Sequence, residues 1–458
     1  MKSPRKSLTE GPILKALAML ALPIIGVNLL QTGYQLVDAF WVGRLGANAV
    51  AAVSISFPIN FLLISLSSGF AFAGAILVAQ YAGAKNFKMV NHVARQTLLM
   101  AFLISLVVSI IAYIFSPQIL YAIGVEEIIF DEANLFQRTI FIGLIFNFGF
   151  IMFQSLLRGI GEVRIPLYIN GATLLLNFFL DPLFIYGWGP VKAYGVTGAA
   201  VSTLVTQFLS IAVGMYILFK GTTEIKLSMK AFSFDWPLLK KAFKLGFPSS
   251  IEISARALGL TLMTVLVARF GTEVLAAYGV GSRLISFVVI LSLGLSKACT
   301  TLVGQNMGAQ RIDRAEKTSY YSSVIGFISL SVVGILFFIF AEPLTRAFLA
   351  GDDYVVNMGV DFLKITSLSF GFMGLQMSII GTLRGSGNTV SSMMLTIIGI
   401  WVIQFPAAWF LSSHTSLGYN GLWWSFPISN VIPALITLGW YKTGRWKNKN
   451  LVHSSPQD

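Results

Sequence analysis

Long apolar stretches separated by short polar breaks run through the whole 458-residue chain. A helix needs about 20 apolar residues to cross a bilayer. Twelve stretches qualify, at residues 15–41, 49–79, 92–116, 137–158, 165–187, 195–219, 239–268, 275–304, 318–341, 355–383, 390–412 and 420–441. Runs such as Leu98 to Phe115 are apolar on nearly every face, as a lipid-embedded helix should be. Transmembrane β-strands would instead alternate over about ten residues. Several stretches are longer than a straight span requires, which predicts tilt, kinks or ends that emerge from the bilayer. Pro23 and Pro58 interrupt the first two and are candidate bends. No small-residue cleavage site follows the first stretch, so it reads as a retained helix and not as a signal peptide.

Composition narrows this to one class. Hydrophobic residues make up 55% of the chain and charged residues 11%, against about 25% charged in soluble domains. Such a chain cannot cover a water-facing surface, which excludes a soluble enzyme, and it is far too apolar for disorder. The single cysteine, Cys299, excludes a disulfide framework. His92, His414 and His453 are too far apart in sequence for a paired metal-ligand motif.

The net charge of +13 is a statement about topology. Cytoplasmic loops retain Lys and Arg, and twelve spans put both termini on one side. If that side is the cytoplasm, it collects 23 of the 32 basic residues, Arg158 and Arg384 among them. The opposite side holds only Arg44, Arg138, Lys192, Arg269 and Arg346, and it carries the acids Glu126, Glu127, Asp131, Glu132, Asp352 and Asp353. Nucleic-acid binding is therefore not inferred. Contact with membrane lipids is the ordinary consequence of this charge pattern.

The chain also repeats itself. With Pro23 aligned to Pro248, Leu14-Lys15 meets Leu239-Lys240, Arg44-Leu45-Gly46 meets Arg269-Phe270-Gly271, and Gly83-Ala84 meets Gly308-Ala309. Further on, Leu157-Arg158-Gly159 matches Leu383-Arg384-Gly385, and Gly195-Val196-Thr197-Gly198 matches Gly418-Tyr419-Asn420-Gly421. The expected fold is all-α, with twelve transmembrane helices in two six-helix pseudo-symmetric lobes. The lobes are residues 1–219 and 239–458, the latter with a basic tail, joined by a cytoplasmic linker at 220–238. An even number of spans per half places the repeat axis along the membrane normal. Two such lobes with a cleft between them suit alternating access.

Acids inside the spans point to chemistry, because a charge at the bilayer centre costs about 2.5–3.5 kcal/mol or more. Gln31, Tyr34 and Asp38 recur at i, i+3 and i+7 and so share one face of the first helix. Asn177 and Asp181 share a face of the fifth. Two carboxylates from different helices, with amides and hydroxyls nearby, can hold one ion, either H⁺ or Na⁺. Met263 stands where the repeat would place a second Asp38, so one lobe is expected to carry this chemistry. Glu252 with Arg256, and Asp361 with Lys364, are expected to pair within their own helices. Lys297 and Arg283 are expected to snorkel toward helix ends.

With these blocks in place, the chain resembles the multidrug and toxic compound extrusion (MATE) transporters over about 12–445. The resemblance rests on the two Leu-Arg-Gly-x-Gly blocks at 157–161 and 383–387 and on Asp181-Pro182-Leu-Phe-Ile-Tyr186. It is similar in particular to the DinF-type branch, through Gln31, Tyr34 and Asp38, through Asn177 and Asp181, and through Gly198-Ala199-Ala200 with Thr203. The resemblance implies a cation-coupling site of Asp38, Asn177, Asp181 and Thr203. Gln31, Tyr34 and Gln154 would form the substrate or polar network around it. The NorM-type branch uses acids in its seventh and tenth helices, where Ala257 and Met373 stand here.

The function expected is export of amphipathic, often cationic, compounds in exchange for H⁺ or Na⁺, with no cofactor, by a monomer in a prokaryotic inner membrane. A flippase for a lipid-linked sugar is the alternative. Flippases of that kind usually have extra helices and a cationic cavity. An intramembrane enzyme is not expected, since the chain lacks HExxH, Gly-x-Ser-x-Gly and clustered histidines.

Overall fold

The computed structural model describes residues 8–228, 233–349, 353–449 and 451–452. Lys2, Arg5, Lys6 and Lys230, four of the basic residues counted on the cytoplasmic side, lie outside the described residues, as do Asp352 and His453.

The first half contains α1 (Ile13–Gly43), α2 (Ala47–Gly83), α3 (Phe87–Ile114), the short α4 (Ser116–Ile123), α5 (Glu127–Gly159), α6 (Arg164–Tyr186) and α7 (Val196–Lys220). The second contains α8 (Trp236–Ala268), α9 (Thr272–Gly308), α10 (Ile312–Ile339), α11 (Ala341–Arg346), α12 (Asp353–Ser367), α13 (Phe370–Gly385), α14 (Thr389–Ile397), α15 (Phe405–Ser413) and α16 (Tyr419–Lys442). Among the described residues, eleven helices are long and apolar enough to cross a membrane, counting Thr389–Ser413 as one, and the bent pair α12–α13 makes a twelfth. The expected twelve-span, all-helical architecture is observed.

The repeat is visible in the backbone itself. Gly195 enters α7 at φ 56, ψ −134, and Gly418 enters α16 at φ 53, ψ −132. Lys85 and Gln310, each just past the C-terminus of its helix, share the left-handed conformation at φ 57 and φ 59. Non-glycine residues rarely sit there, so the coincidence marks one backbone plan used twice. The Leu-Arg-Gly blocks explain themselves in the same way. A Cβ on Gly159 would lie 2.9 Å from the Ala75 carbonyl oxygen, and one on Gly385 would lie 2.5 Å from that of Thr300. These glycines let α5 cross α2, and α13 cross α9, almost backbone to backbone.

By packing, the chain forms two compact units, Gly26–Ser250 and Met1–Ile25 with Ile251–Asp458. The division falls inside α1 and α8, two residues after Pro23 and after Pro248, and not at the connection between the halves. A proline removes a helix hydrogen bond and clashes with the preceding turn. Each of these helices thus changes unit just past its weakest point. The cores of the two units correspond residue by residue: Val42, Ala52 and Phe136 are buried in one, and Val267, Ala277 and Phe362 in the other.

Two departures from the plan occur in the second half. The span read as one helix over 355–383 is broken between α12 and α13 with a 50° bend. The break has its own polar support, since Ser369 Oγ donates to the Thr366 carbonyl and accepts from Asn430 Nδ2 at 2.9 Å. The span at 390–412 is interrupted by a π-helical stretch, Ile398–Gln404. In the first half the corresponding helices, α5 and α6, are continuous.

The connection from α7 to α8 is held against α3. Arg95 donates to the Ser228 carbonyl, Gln96 to that of Ser233, and Asn91 Oδ1 accepts from the Lys226 amide at 2.7 Å. His92 Nε2 meets Asp235 Oδ2 at 2.8 Å.

Candidate functional site

Packing of α6 against α7 brings the first set of candidate residues together. A Cβ on Gly198 would sit 2.3 Å from the Phe184 carbonyl oxygen, so α7 starts in direct contact with the backbone of α6. One turn further along α7, Ser202 then faces Asn177 and Asp181. Asn177 Nδ2 donates to Asp181 Oδ1 at 2.9 Å and to Ser202 Oγ at 3.0 Å. Both Asn177 and Asp181 are fully buried.

Asp38 reaches this group from α1. It is half-buried, and its carboxyl interacts with Asp181, Asn177 and Thr203. Tyr34, one turn before it, shares a short hydrogen bond with Thr206 Oγ1. Asp38 Oδ1, Asp181 Oδ2 and Asn177 Oδ1 are all shielded from solvent with no hydrogen-bond partner among the described residues. Buried oxygens of this kind are normally satisfied. Three together, two of them carboxylate oxygens, form an acceptor set that a proton or a small cation would complete. No third His, Cys, Asp or Glu joins them in a metal-type cluster among the described residues.

The structure thus gathers Asp38, Asn177, Asp181, Thr203 and Tyr34. It leaves two candidates apart. Gln31 is exposed on α1, and Gln154 lies in α5 with its amide nitrogen buried and without a hydrogen-bond partner among the described residues. Neither takes part in the hydrogen bonds at the acid pair. Sequence reading missed Ser202 and Thr206. A signal was present, because Gly198, Ser202 and Thr206 recur every four residues on one face of α7.

The second set of ionisable residues is arranged differently from expectation. Glu252 does not form its ion pair within α8. It pairs with Arg384, at 2.6 Å from Oε1 to Nη2 and 3.3 Å from Oε2 to Nε, and it also accepts from Ser392 and Thr396. Arg384, counted above among the basic residues of the cytoplasmic side, lies in the last turn of α13 and is only 3% exposed. The ion pair joins α8 to α13 across 132 positions of sequence, which helical spacing alone does not reveal. Asp361 and Lys364 are likewise not paired with each other. The Lys364 ammonium lies over the Phe338 ring, 5.9 Å from its centroid.

With this geometry in place, comparison with known proteins decides the family. The family model described as MatE matches the chain twice, over residues 23–183 and 248–410. The chain belongs to the MatE family. Both matches begin at the prolines that the internal repeat aligns. A probable multidrug resistance protein, YoeA of Bacillus subtilis, is 29% identical over 450 residues, covering 97% of this chain and 96% of its own length. A probable multidrug resistance protein NorM of Thermotoga maritima is 27% identical over 456 residues, covering 98% and 96%. Among solved structures, a MATE in complex with MaL6 shares the fold with a TM-score of 0.91 at 23% identity, over 97% of this chain and 98% of that one. This MatE protein is therefore a multi-pass membrane transporter of a multidrug-efflux family and not an enzyme.

Proposed function

We propose that this MatE protein is a cation-coupled antiporter that exports amphipathic, often cationic, compounds by alternating access. Inward flow of H⁺ or Na⁺ drives the export. The observation that carries the reading is the meeting of Asp38 and Asp181, from two helices, around three buried oxygens without partners. Two facing carboxylates repel unless a cation joins them. Occupancy of the pair is therefore a natural switch between two states of the protein. Cation and cargo would each favour one state, and each shifts the equilibrium only by its differential affinity for the two. Asn177 and Thr203 supply the neutral ligands, Ser202 holds the Asn177 amide, and Tyr34 closes the group from α1. Coupling through this unit agrees with the DinF-type pattern. The reading places both termini in the cytoplasm, the protein in the cytoplasmic membrane of a prokaryote, and a single chain as the working unit.

The test is efflux of a cationic dye from proteoliposomes under a pH gradient and, separately, under a Na⁺ gradient. Wild type is expected to export under at least one of them, and Asp38→Asn under neither. Export by the variant at the wild-type rate would move coupling to other residues. No export by wild type under either gradient would favour the lipid-linked-sugar flippase.

A further inference from the structure

The unit formed by Met1–Ile25 and Ile251–Asp458 contains a charge that the coupling reading leaves unused. Glu252 is fully buried. Its Oε1 accepts from Arg384 Nη2 at 2.6 Å and from Thr396 Oγ1 at 2.9 Å. Its Oε2 accepts from Arg384 Nε at 3.3 Å and from Ser392 Oγ. An ionised carboxylate offers about four acceptor positions, and here all are filled. Arg256 stands one turn further along α8, half-buried, and close enough to interact electrostatically with both Glu252 and Arg384. Glu252 has no acceptor position left for it. The hydrogen-bond contact that Arg256 makes among the described residues is from Nη2 to Met377 Sδ, at 3.8 Å. A thioether is a weak acceptor. Arg256 is thus a guanidinium on a candidate membrane span whose donors the hydrogen bonds among the described residues do not fill. Such residues are costly there and are kept for a ligand or a pathway.

The surroundings indicate the kind of ligand. Trp401 Nε1 donates to the Ala255 carbonyl at 3.2 Å, which fixes the indole against α8 beside Arg256. Trp401 belongs to the π-helical stretch, a feature frequent at functional sites. Gly259, on the same face of α8, leaves room for Ile400, whose Cγ2 would lie 2.5 Å from a Cβ placed there. A thioether thus meets the guanidinium, an indole is bonded to the residue before it, and an aliphatic side chain packs one turn further along α8. A guanidinium pairs two parallel N–H groups with the oxygens of a carboxylate or phosphate, while the apolar neighbours suit a flat hydrophobic body.

We infer that Arg256 is the anion-recognising group of a cargo subsite in this unit, taking the carboxylate or phosphate of an amphipathic molecule. The subsite uses none of the residues of the acid pair on α1 and α6, and it can be read without any gradient.

The experiment is an equilibrium fluorescence-polarisation titration of purified protein in non-ionic detergent. It uses two dyes of similar ring skeleton, an anionic fluorescein type and a cationic rhodamine type. In Arg256→Gln the anionic dye should bind about tenfold more weakly or worse, with the cationic dye within about twofold of wild type. Arg256→Lys keeps the charge but loses the planar fork, and should fall between the two for the anionic dye alone. If Arg256→Gln does not fold, Arg256→Lys decides, and wild-type anionic binding by it overturns the inference. So does wild-type protein that binds no anionic dye, or an equal loss of both dyes. A third arm adds phosphatidylglycerol, which carries a phosphate on a lipid. Arg256-dependent displacement of the dye by this lipid at low mole fraction would make the site a lipid site and overturn the cargo assignment. Since no gradient is applied, failure here leaves the antiport reading standing, and failure of antiport leaves this binding result standing.

Discussion

Gly195 and Gly418 open their helices with nearly the same backbone angles, yet the units that contain them hold opposite chemistry. In the unit Gly26–Ser250, two carboxylates face each other with amides and hydroxyls and no basic partner among the hydrogen bonds and ion pairs there. In the other, one carboxylate is saturated by an arginine and two hydroxyls, and a second arginine stands beside it. The repeat aligns Gln31 with Arg256 and Asp38 with Met263. Duplication preserved the positions of the close helix crossings, while the polar positions diverged. A carboxylate pair without a cation is poised to bind one. A carboxylate locked by a buried bidentate arginine is poised to stay as it is.

Breaking each carboxylate in turn separates the two roles most sharply. Glu252→Gln takes the carboxylate of the ion pair away from Arg384, at a site only 3% exposed. Removing one partner of a buried ion pair costs about 3–5 kcal/mol, so thermal unfolding in detergent should show a large loss of stability. Asp181→Asn removes a charge from a repelling pair and keeps a side-chain oxygen for the Asn177 amide. Its stability should stay within about 1 kcal/mol of wild type, while gradient-driven dye efflux is lost. Equal destabilisation by the two variants would mean that both carboxylates are structural, and the contrast between the units would fail.

The next effect tests what the units share. Alanine at Gly159 puts a methyl group against the Ala75 carbonyl and the Val78 side chain, and alanine at Gly385 puts one against the Thr300 carbonyl. Overpacking of this kind costs about 1–3 kcal/mol. Both variants should lower the unfolding temperature, and by similar amounts if the two crossings are equivalent. A large effect at one glycine alone would show that one unit has relaxed its packing.

These contrasts were unequally legible in the sequence. The spans were readable because lipid demands apolar length, and the repeat because glycines at close crossings tolerate no side chain. Asn177 and Asp181 were readable together because four residues make about one helical turn. The pairing of Arg384 with Glu252 was not, since the two lie 132 positions apart and Arg256 stood one helical turn from Glu252. The break between α12 and α13 has no proline to announce it, and it is supported by Asn430, which is distant in sequence. Ser202 and Thr206 were hidden because hydroxyls in apolar helices commonly bond to their own backbone, as Thr206 also does to the Ser202 carbonyl. The dominant physical signals in the sequence are burial and close packing. Which polar groups meet depends on helix rotation and register, which a single sequence encodes weakly.

The smallest expected effect lies outside the spans and belongs to the first unit alone. Asp235 caps α8, accepting from the Leu238 amide at 2.9 Å, and it also meets His92 of α3. Burial works against its ionisation, but the Leu238 amide and the His92 imidazole outweigh that and hold its carboxyl below the usual carboxylate range. A group with a depressed value stabilises the fold above its unfolded-state value and loses that contribution as pH falls through the folded-state value. The contribution should therefore be complete at neutral pH and disappear below about pH 4, where an unfolded aspartate also takes up its proton. The cap and the His92 contact are solvent-accessible, so Asp235→Asn should cost no more than about 1 kcal/mol at pH 7. The difference in unfolding temperature between wild type and variant should shrink as pH is lowered from neutral through about 4 and below. A difference that stays constant across that range would show that the connection to α8 is held by the Arg95, Gln96 and Asn91 hydrogen bonds alone, with the His92–Asp235 contact adding nothing.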